Sequence, residues 1–198
     1  MPDPRIVPFK KKKGISDDLF QRLLEKGKDH DISTIYPFDP VKIVIAEWVN
    51  LKCRYGCTRY NTNWSCPPAT PGPEQAQRII SEYSLALMLV GSKNYQNFCL
   101  ENTKKRAVQV RCWKGTIVME RMLFLAGYYK AFSLVGECCG LCKQCSFPKD
   151  CRFPQEKRPA VESFSIDVIG TLHNLRLDTQ IALNKTDTFN YYGIILLE

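Results

Sequence analysis

The spacing of apolar residues divides most of the chain into alternating helices and strands. Leu19, Phe20, Leu23 and Leu24 recur at helical spacing, which predicts a helix over 17–26 with Ser16 as its N-cap. The β-branched run over 41–49 predicts a strand. Further along, the pattern predicts helices over about 70–83, 101–127 and 158–176, and strands over 84–90, 130–135, 177–183 and 191–197.

This alternation predicts the fold class: α/β, with a partly parallel sheet flanked by helices, cysteine-rich cluster-binding loops and a C-terminal hairpin. The hairpin would join the last two predicted strands through the polar residues 184–188. Both cysteine-rich segments follow a predicted strand, at 41–49 and at 130–135. If those strands are parallel, both segments leave the same end of the sheet, where open α/β sheets build their sites.

The length of 198 residues predicts a single α/β metal-binding domain over 15–198, preceded by an extended basic leader over 1–14. A chain of this length buries roughly 70% of its extended surface and needs no metal to fold. The ten cysteines therefore indicate chemistry or electron handling, with a structural metal as the alternative.

Charge and hydropathy set expectations about location and partners. The start of the chain does not resemble a signal peptide and no apolar run reaches the length of a membrane span, so we expect a cytoplasmic protein with reduced thiols. The net charge of +8 first suggests nucleic acid or an acidic partner. Two thiolate-bound clusters of about −2 each would cancel roughly half of it. A redox partner protein is therefore expected and nucleic acid is not, while the oligomeric state is not indicated.

The most specific motif is a cysteine run with the spacing C-x2-C-x2-C-x5-C. It comprises Cys139, Cys142, Cys145 and Cys151. It approaches the ferredoxin run C-x2-C-x2-C-x3-C-P, although the last gap is longer and Arg152-Phe153-Pro154 follows the last cysteine. Four-cysteine zinc sites more often use two separated C-x2-C pairs. The run therefore favours a [4Fe–4S] cluster, with zinc as the alternative.

Another cysteine group, which comes earlier in the chain, has the spacing C-x3-C-x8-C. It comprises Cys53, Cys57 and Cys66. Three thiolates leave a four-iron cluster one ligand short, and the fourth ligand could be Cys138, Cys112, Cys99, another side chain or a small molecule. An iron without a protein ligand could bind a substrate. Buried thiols or a zinc site are the alternatives here.

Several segments resemble an uncharacterised, cysteine-rich family of predicted metal-binding proteins from anaerobic microbes. The segments are Cys53-Arg-Tyr-Gly-Cys57 with Trp64-Ser-Cys66-Pro-Pro, Glu120-Arg121 with Phe124-Leu-Ala-Gly-Tyr, the cysteine run, and Cys151-Arg-Phe-Pro with Arg158-Pro and Ile166-Asp167-Val168. The resemblance covers about residues 45–197 and implies a metal, of iron–sulfur type, but no particular reaction. Cys138 departs from the family pattern as an additional cysteine.

Three functions follow as hypotheses. The first is a cytoplasmic iron–sulfur protein with one or two [4Fe–4S] clusters that exchanges electrons with a partner. The second is an enzyme whose open-site cluster at the Cys53 group acts on a small substrate. The third is a structural zinc-binding module. Whether a reaction is catalysed stays open at this point.

Overall fold

The computed structural model describes residues 14–94, 103–177 and 188–198; the rest of the predicted leader and the centre of the predicted hairpin lie outside the described residues. The helices are α1 (Asp17–Lys28), α2 (Glu47–Gly56), α3 (Pro73–Ile80), α4 (Thr103–Leu125) and α5 (Val168–Asn174). The strands are β1 (Thr34–Phe38), β2 (Leu85–Asn94), β3 (Phe132–Leu134) and β4 (Thr188–Leu197), with 3-10 turns at Pro40–Lys42 and Glu162–Phe164. Within the described part of the chain, no helix is long and apolar enough to cross a membrane.

The four strands form one sheet in the order β1-β2-β4-β3, and every pair is antiparallel. The predicted partly parallel sheet is therefore wrong. Strands β2 and β4 form its centre, pairing from Leu85 with Leu197 to Asn94 with Thr188. Leu177 lies outside any strand, and the remainder of the predicted strand 177–183 is outside the described residues.

Both faces of this antiparallel sheet are covered, which explains why β2 is a continuous apolar run of the kind expected in a parallel sheet. Leu87 and Leu89 face a core that includes Leu23 of α1 and Leu123 of α4. Ala86 and Met88 face a second core, formed with residues of α3 and α5. Strands buried on both faces are typical of parallel sheets, and here the same continuous apolar sequence serves an antiparallel one.

The predicted strand over 41–49 is also wrong. Pro40 begins a 3-10 turn that Asp39 caps, its carboxylate accepting from the Val41 amide at 2.9 Å. Ile45 keeps only an isolated bridge to Ile166, and α2 begins at Glu47. The true strand, β1, escaped prediction because it contains Pro37, and it tolerates a proline because it is a sheet edge.

Other elements agree with the pattern, except near the C-terminus. Ser16 caps α1 by accepting from the Leu19 amide, and the predicted helices at α3 and α4 and strands at β2 and β3 are confirmed with shifted ends. The predicted helix over 158–176 is reduced to a 3-10 turn and α5. Ser165, with φ of 58°, is left-handed between them, and Asp167 starts α5 as its N-cap, accepting from the Gly170 amide at 2.9 Å.

Candidate metal centres

The cysteine run lies in a long irregular loop between β3 and the 3-10 turn at Glu162. It follows a strand, as predicted. All four of its cysteines line one small pocket of about 20 Å³: Cys139, Cys142, Cys145 and Cys151. The residues that line this pocket belong to no helix or strand.

Backbone amides in this loop point at sulfur. The Phe153 amide donates to the Sγ of Cys151 at 3.4 Å. The Leu141 amide donates to the thiol of Cys139, two residues before it. In the other cysteine group, the Arg59 amide donates to Cys57 Sγ at 3.4 Å. The same local turn, in which the amide of residue i+2 donates to the sulfur of residue i, therefore occurs in both groups.

The cysteine group that comes first in the chain is built on α2 and the loop after it. Cys53 lies in the last turn of α2 and Cys57 is its C-cap residue, while Cys66 follows nine residues later and is buried. The expectation that this group follows a strand is therefore wrong, because the segment before it is the helix α2. The parallel-strand argument for bringing the two groups together fails with it.

A fourth cysteine joins this group. Cys53, Cys57, Cys66 and Cys138, together the first cysteine set, line one cavity of about 610 Å³. The cysteine run 139–151 is the second set. Of the other candidates for a fourth ligand, Cys112 is buried in the core with its Sγ 4.0 Å from the Asp31 carbonyl, and Cys99 lies outside the described residues. The structure thus brings together three predicted site residues and selects Cys138 to accompany them.

Burial dominates the electrostatics of these thiols. Desolvation raises the pKa of Cys66 to about 12, with Asn63 acting in the opposite direction and Cys138 among the groups that add to the rise. It raises the pKa of Cys139 to about 11, against the Leu141 amide and the Ser65 hydroxyl. Desolvation likewise raises the pKa values of Cys53 and Cys138. A bound cation would offset this cost, because metal ligation requires the deprotonated thiol.

The two cysteine sets share a wall. Cys138 lines the first cavity and Cys139 the second pocket. Cys66 lines the first cavity, and the preceding Ser65 lines the second pocket. Because consecutive Cα atoms are about 3.8 Å apart, these two adjacent pairs place both sets on opposite sides of a wall one residue thick.

Helix α4 and the first cysteine loop hold this wall in place. Gln109 donates to the Cys138 carbonyl, and Arg106 Nε donates to the Gly140 carbonyl at 2.9 Å. Trp64 Nε1 donates to the Lys149 carbonyl at 3.0 Å, and its ring meets the Phe147 ring edge-on at 5.0 Å. Trp64 therefore connects the loop that carries Cys57 and Cys66 to the loop that carries the second cysteine set.

A buried ion pair anchors the exit of the second cysteine loop. Arg158 donates to both Glu120 oxygens, at 2.8 Å from Nε and 2.5 Å from NH2. Glu120 also accepts from the Ser133 amide at 2.8 Å. Arg152 donates to the Gln144 carbonyl at 3.1 Å and so braces the loop internally.

The donor set fits a thiolate-bound group. Both sites offer four cysteines each, and sulfur is the donor that iron–sulfur clusters and structural zinc share. Among the described residues, no group of three or more His, Cys, Asp or Glu side chains converges closely enough to hold a single metal ion as it stands. The thiols line pockets rather than meet at a point.

Comparison with known protein families gives one match. The family described as "Predicted metal-binding protein (DUF2284)" matches residues 37–197, which include every cysteine discussed above. The chain belongs to this family. Comparisons with curated proteins and with solved structures give no match.

For this predicted metal-binding protein, the family description supports metal binding and leaves the metal open, so zinc and iron–sulfur both remain compatible with it. Sequence reasoning identified seven of the eight clustered cysteines as candidate ligands. It left Cys138 as one option among several, because its partners are distant in the chain. Its immediate neighbour Cys139 belongs to the other set, so spacing alone could not assign it.

Proposed function

We propose that this protein holds two [4Fe–4S] clusters and transfers electrons to or from a partner protein. Cys139, Cys142, Cys145 and Cys151 would hold one cluster, and Cys53, Cys57, Cys66 and Cys138 the other. The observation that supports this most strongly is the pair of four-thiol sets on opposite sides of one thin wall. Two redox centres so close can exchange electrons within one domain.

The local chemistry favours iron–sulfur over zinc. The amide donors at Cys57, Cys139 and Cys151 are the kind of hydrogen bonds that tune cluster potential. The compact run of the second set is closer to ferredoxin spacing than to paired zinc ligands. Zinc in one or both sites remains the alternative.

Bound clusters would supply one-electron chemistry. The protein's own contribution is to exclude water and to fix the ligands. Trp64 lines the second pocket and packs edge-on against Phe147, and the contacts of Gln109 and Arg106 fix the backbone of the shared wall. Arg59 lowers the pKa of Cys138 against the raising effect of burial, so its charge favours the thiolate there.

An enzyme acting on a small substrate is the second candidate function. The observation that favours it is the size of the cavity beside the first cysteine set. With Cys138 as fourth ligand, such an enzyme would bind its substrate in the cavity rather than on a cluster iron that lacks a protein ligand.

Reductive titration followed by electron paramagnetic resonance tests the proposed function. Protein purified without oxygen should show two reducible centres whose signals broaden through mutual coupling when both are reduced. Cys142→Ser should remove one signal and the coupling. A protein that accepts no electrons down to the potential of dithionite would contradict the proposal.

A further inference from the structure

The cavity beside Cys53, Cys57, Cys66 and Cys138 is larger than a metal centre needs. At about 610 Å³ it lies within the range of roughly 300–1,000 Å³ typical of small-molecule sites. A [4Fe–4S] core consists of four irons and four sulfides and is compact beside this volume. Space for a further ligand therefore adjoins the four thiols.

The walls of the cavity extend beyond the cysteine loops. The lining includes Trp48 and Val49 of α2 and Tyr192 of β4. It also includes Ile166, in the bridge before α5, and Ile169, at the start of α5. The lining is predominantly apolar. A ligand that fits these walls has an apolar body of one or two rings, because burying such a surface is the main source of its affinity.

The charged groups in the lining are mainly acidic. Glu137, Glu162 and Asp167 line the cavity, and Lys52 is the cation in its lining. The ammonium of Lys52 lies 4.8 Å from the centre of the Trp48 ring. Three carboxyl groups against one ammonium among the charged side chains of the lining favour a ligand that carries a cationic or N–H-bearing group.

Glu162 is a half-buried carboxyl in the cavity lining. Burial raises its pKa, its own backbone amide opposes the rise, and Glu137 adds to it. In the part of the chain that the structure describes, no other side chain donates a hydrogen bond to its carboxyl group. Since Glu162 lines the cavity, its carboxyl group can accept a hydrogen bond from the nitrogen of a ligand bound there.

We propose that this cavity is a binding site for a small organic amine with an apolar ring, held beside the first cysteine set with its nitrogen on Glu162. This inference goes beyond electron transfer and does not rest on it. It gives the protein a substrate or effector site next to its metal centre, whichever metal that centre holds.

Calorimetric titration with a matched pair of probes tests the inference. The probes are 1-naphthylmethylamine and 1-naphthylacetate, which share a ring system and differ in charge. The protein is purified without oxygen, and its metal content is measured separately. The amine should bind the metal-loaded protein at least about tenfold more tightly than the acetate.

Two variants and their controls assign the binding to this cavity. Glu162→Gln should bring the affinity ratio of the two probes close to one, whereas Glu74→Gln, outside the cavity, should preserve it. Ile169→Trp should weaken both probes at least about tenfold by filling the cavity, while Leu125→Trp should change neither. Circular dichroism and metal content should match wild type in each variant.

Three results would overturn the inference. One is that neither probe binds the metal-loaded protein. Another is that the probes bind only after a chelator has removed the metal, which would make the cavity merely the space of the metal centre. The third is an amine preference that survives in Glu162→Gln. Metal content is read independently, so these failures are distinct from failure of the proposed electron transfer.

Discussion

Cys138 and Cys139 are adjacent in the chain yet line different pockets. Two adjacent cysteines can therefore serve two centres. Glu137 before them is left-handed, with φ of 60°, and turns the chain after β3 toward the wall. The position of Cys138 beside the first set is thus a matter of tertiary structure rather than of motif spacing.

Replacement of Cys138 should remove one metal centre and leave the other. Cys138→Ser is expected to lower the bound metal to about half of the wild-type amount, because the first set loses a thiolate. Cys112→Ser is the matched control, since Cys112 is buried in the core away from both sets. Equal metal content in wild type and Cys138→Ser, by elemental analysis, would exclude Cys138 as a ligand.

Loss of the Glu120 carboxylate should destabilise the protein strongly. Glu120→Ala leaves Arg158 and the Ser133 amide without their acceptor in a buried position, which costs about 3–5 kcal/mol. Asp18→Ala is the control: its contact with Arg22 is 3.8 Å long and exposed, and its loss should cost about 1 kcal/mol or less. Urea unfolding measures both; similar losses in the two variants would contradict the assigned role of Glu120.

At the scale of elements, the loop after β3 is held by its close approach to β4. A Cβ at Gly136 would lie 2.7 Å from the Tyr192 carbonyl oxygen and 2.8 Å from the Tyr191 ring. Tyr191 is buried and hydrogen-bonded to Thr116, so it cannot easily move. Glycine at this position therefore lets the chain pass β4 on its way to Cys138.

Gly136→Ala should destabilise the fold by about 1–3 kcal/mol through overpacking. It should also weaken metal binding at the first set, because Cys138 lies two residues further on. Gly56→Ala is the control: a Cβ there meets nothing within 4 Å, and alanine is favoured over glycine in a helix. Thermal unfolding compares the two, and a Gly136→Ala protein as stable as wild type would refute the packing argument.

Sequence periodicity predicted the elements whose apolar spacing is local and regular. Helices α1 and α4 and strand β2 are of this kind. The strand direction was not predictable, because burial of β2 on both faces leaves the same apolar run in parallel and antiparallel sheets. The 41–49 segment failed because its β-branched residues suit a strand, whereas Asp39, Pro40 and Glu47 start helical turns there. The cysteine run was recognisable from spacing, and the Cys138 assignment needed tertiary structure.

At the scale of the whole molecule, the net charge of +8 and the buried thiols have linked consequences. A metal-loaded protein would be less basic, since each thiolate adds a negative charge. A thiol-lined pocket and a cavity lined by thiols and carboxyl groups then lie within a basic chain. A redox partner protein remains the expected partner, as a prediction.

Metal binding should strengthen as the pH rises. Burial raises the pKa of Cys66 to about 12 and of Cys139 to about 11, so both thiols carry protons at neutral pH and must release them on ligation. The apparent affinity for Co²⁺, read from the thiolate-to-cobalt absorption band, should rise at least about tenfold per pH unit between about pH 6 and 8. An affinity independent of pH would show that the thiols are already ionised.

The central claim, two four-iron clusters on eight cysteines, is tested most directly by quantifying iron, acid-labile sulfide and zinc in protein purified without oxygen. The account predicts brown protein with about eight irons and eight sulfides per chain and little zinc. It predicts about half of that iron and sulfide in Cys142→Ser, with an unchanged circular dichroism spectrum. Colourless protein with tightly held zinc and no sulfide would contradict it.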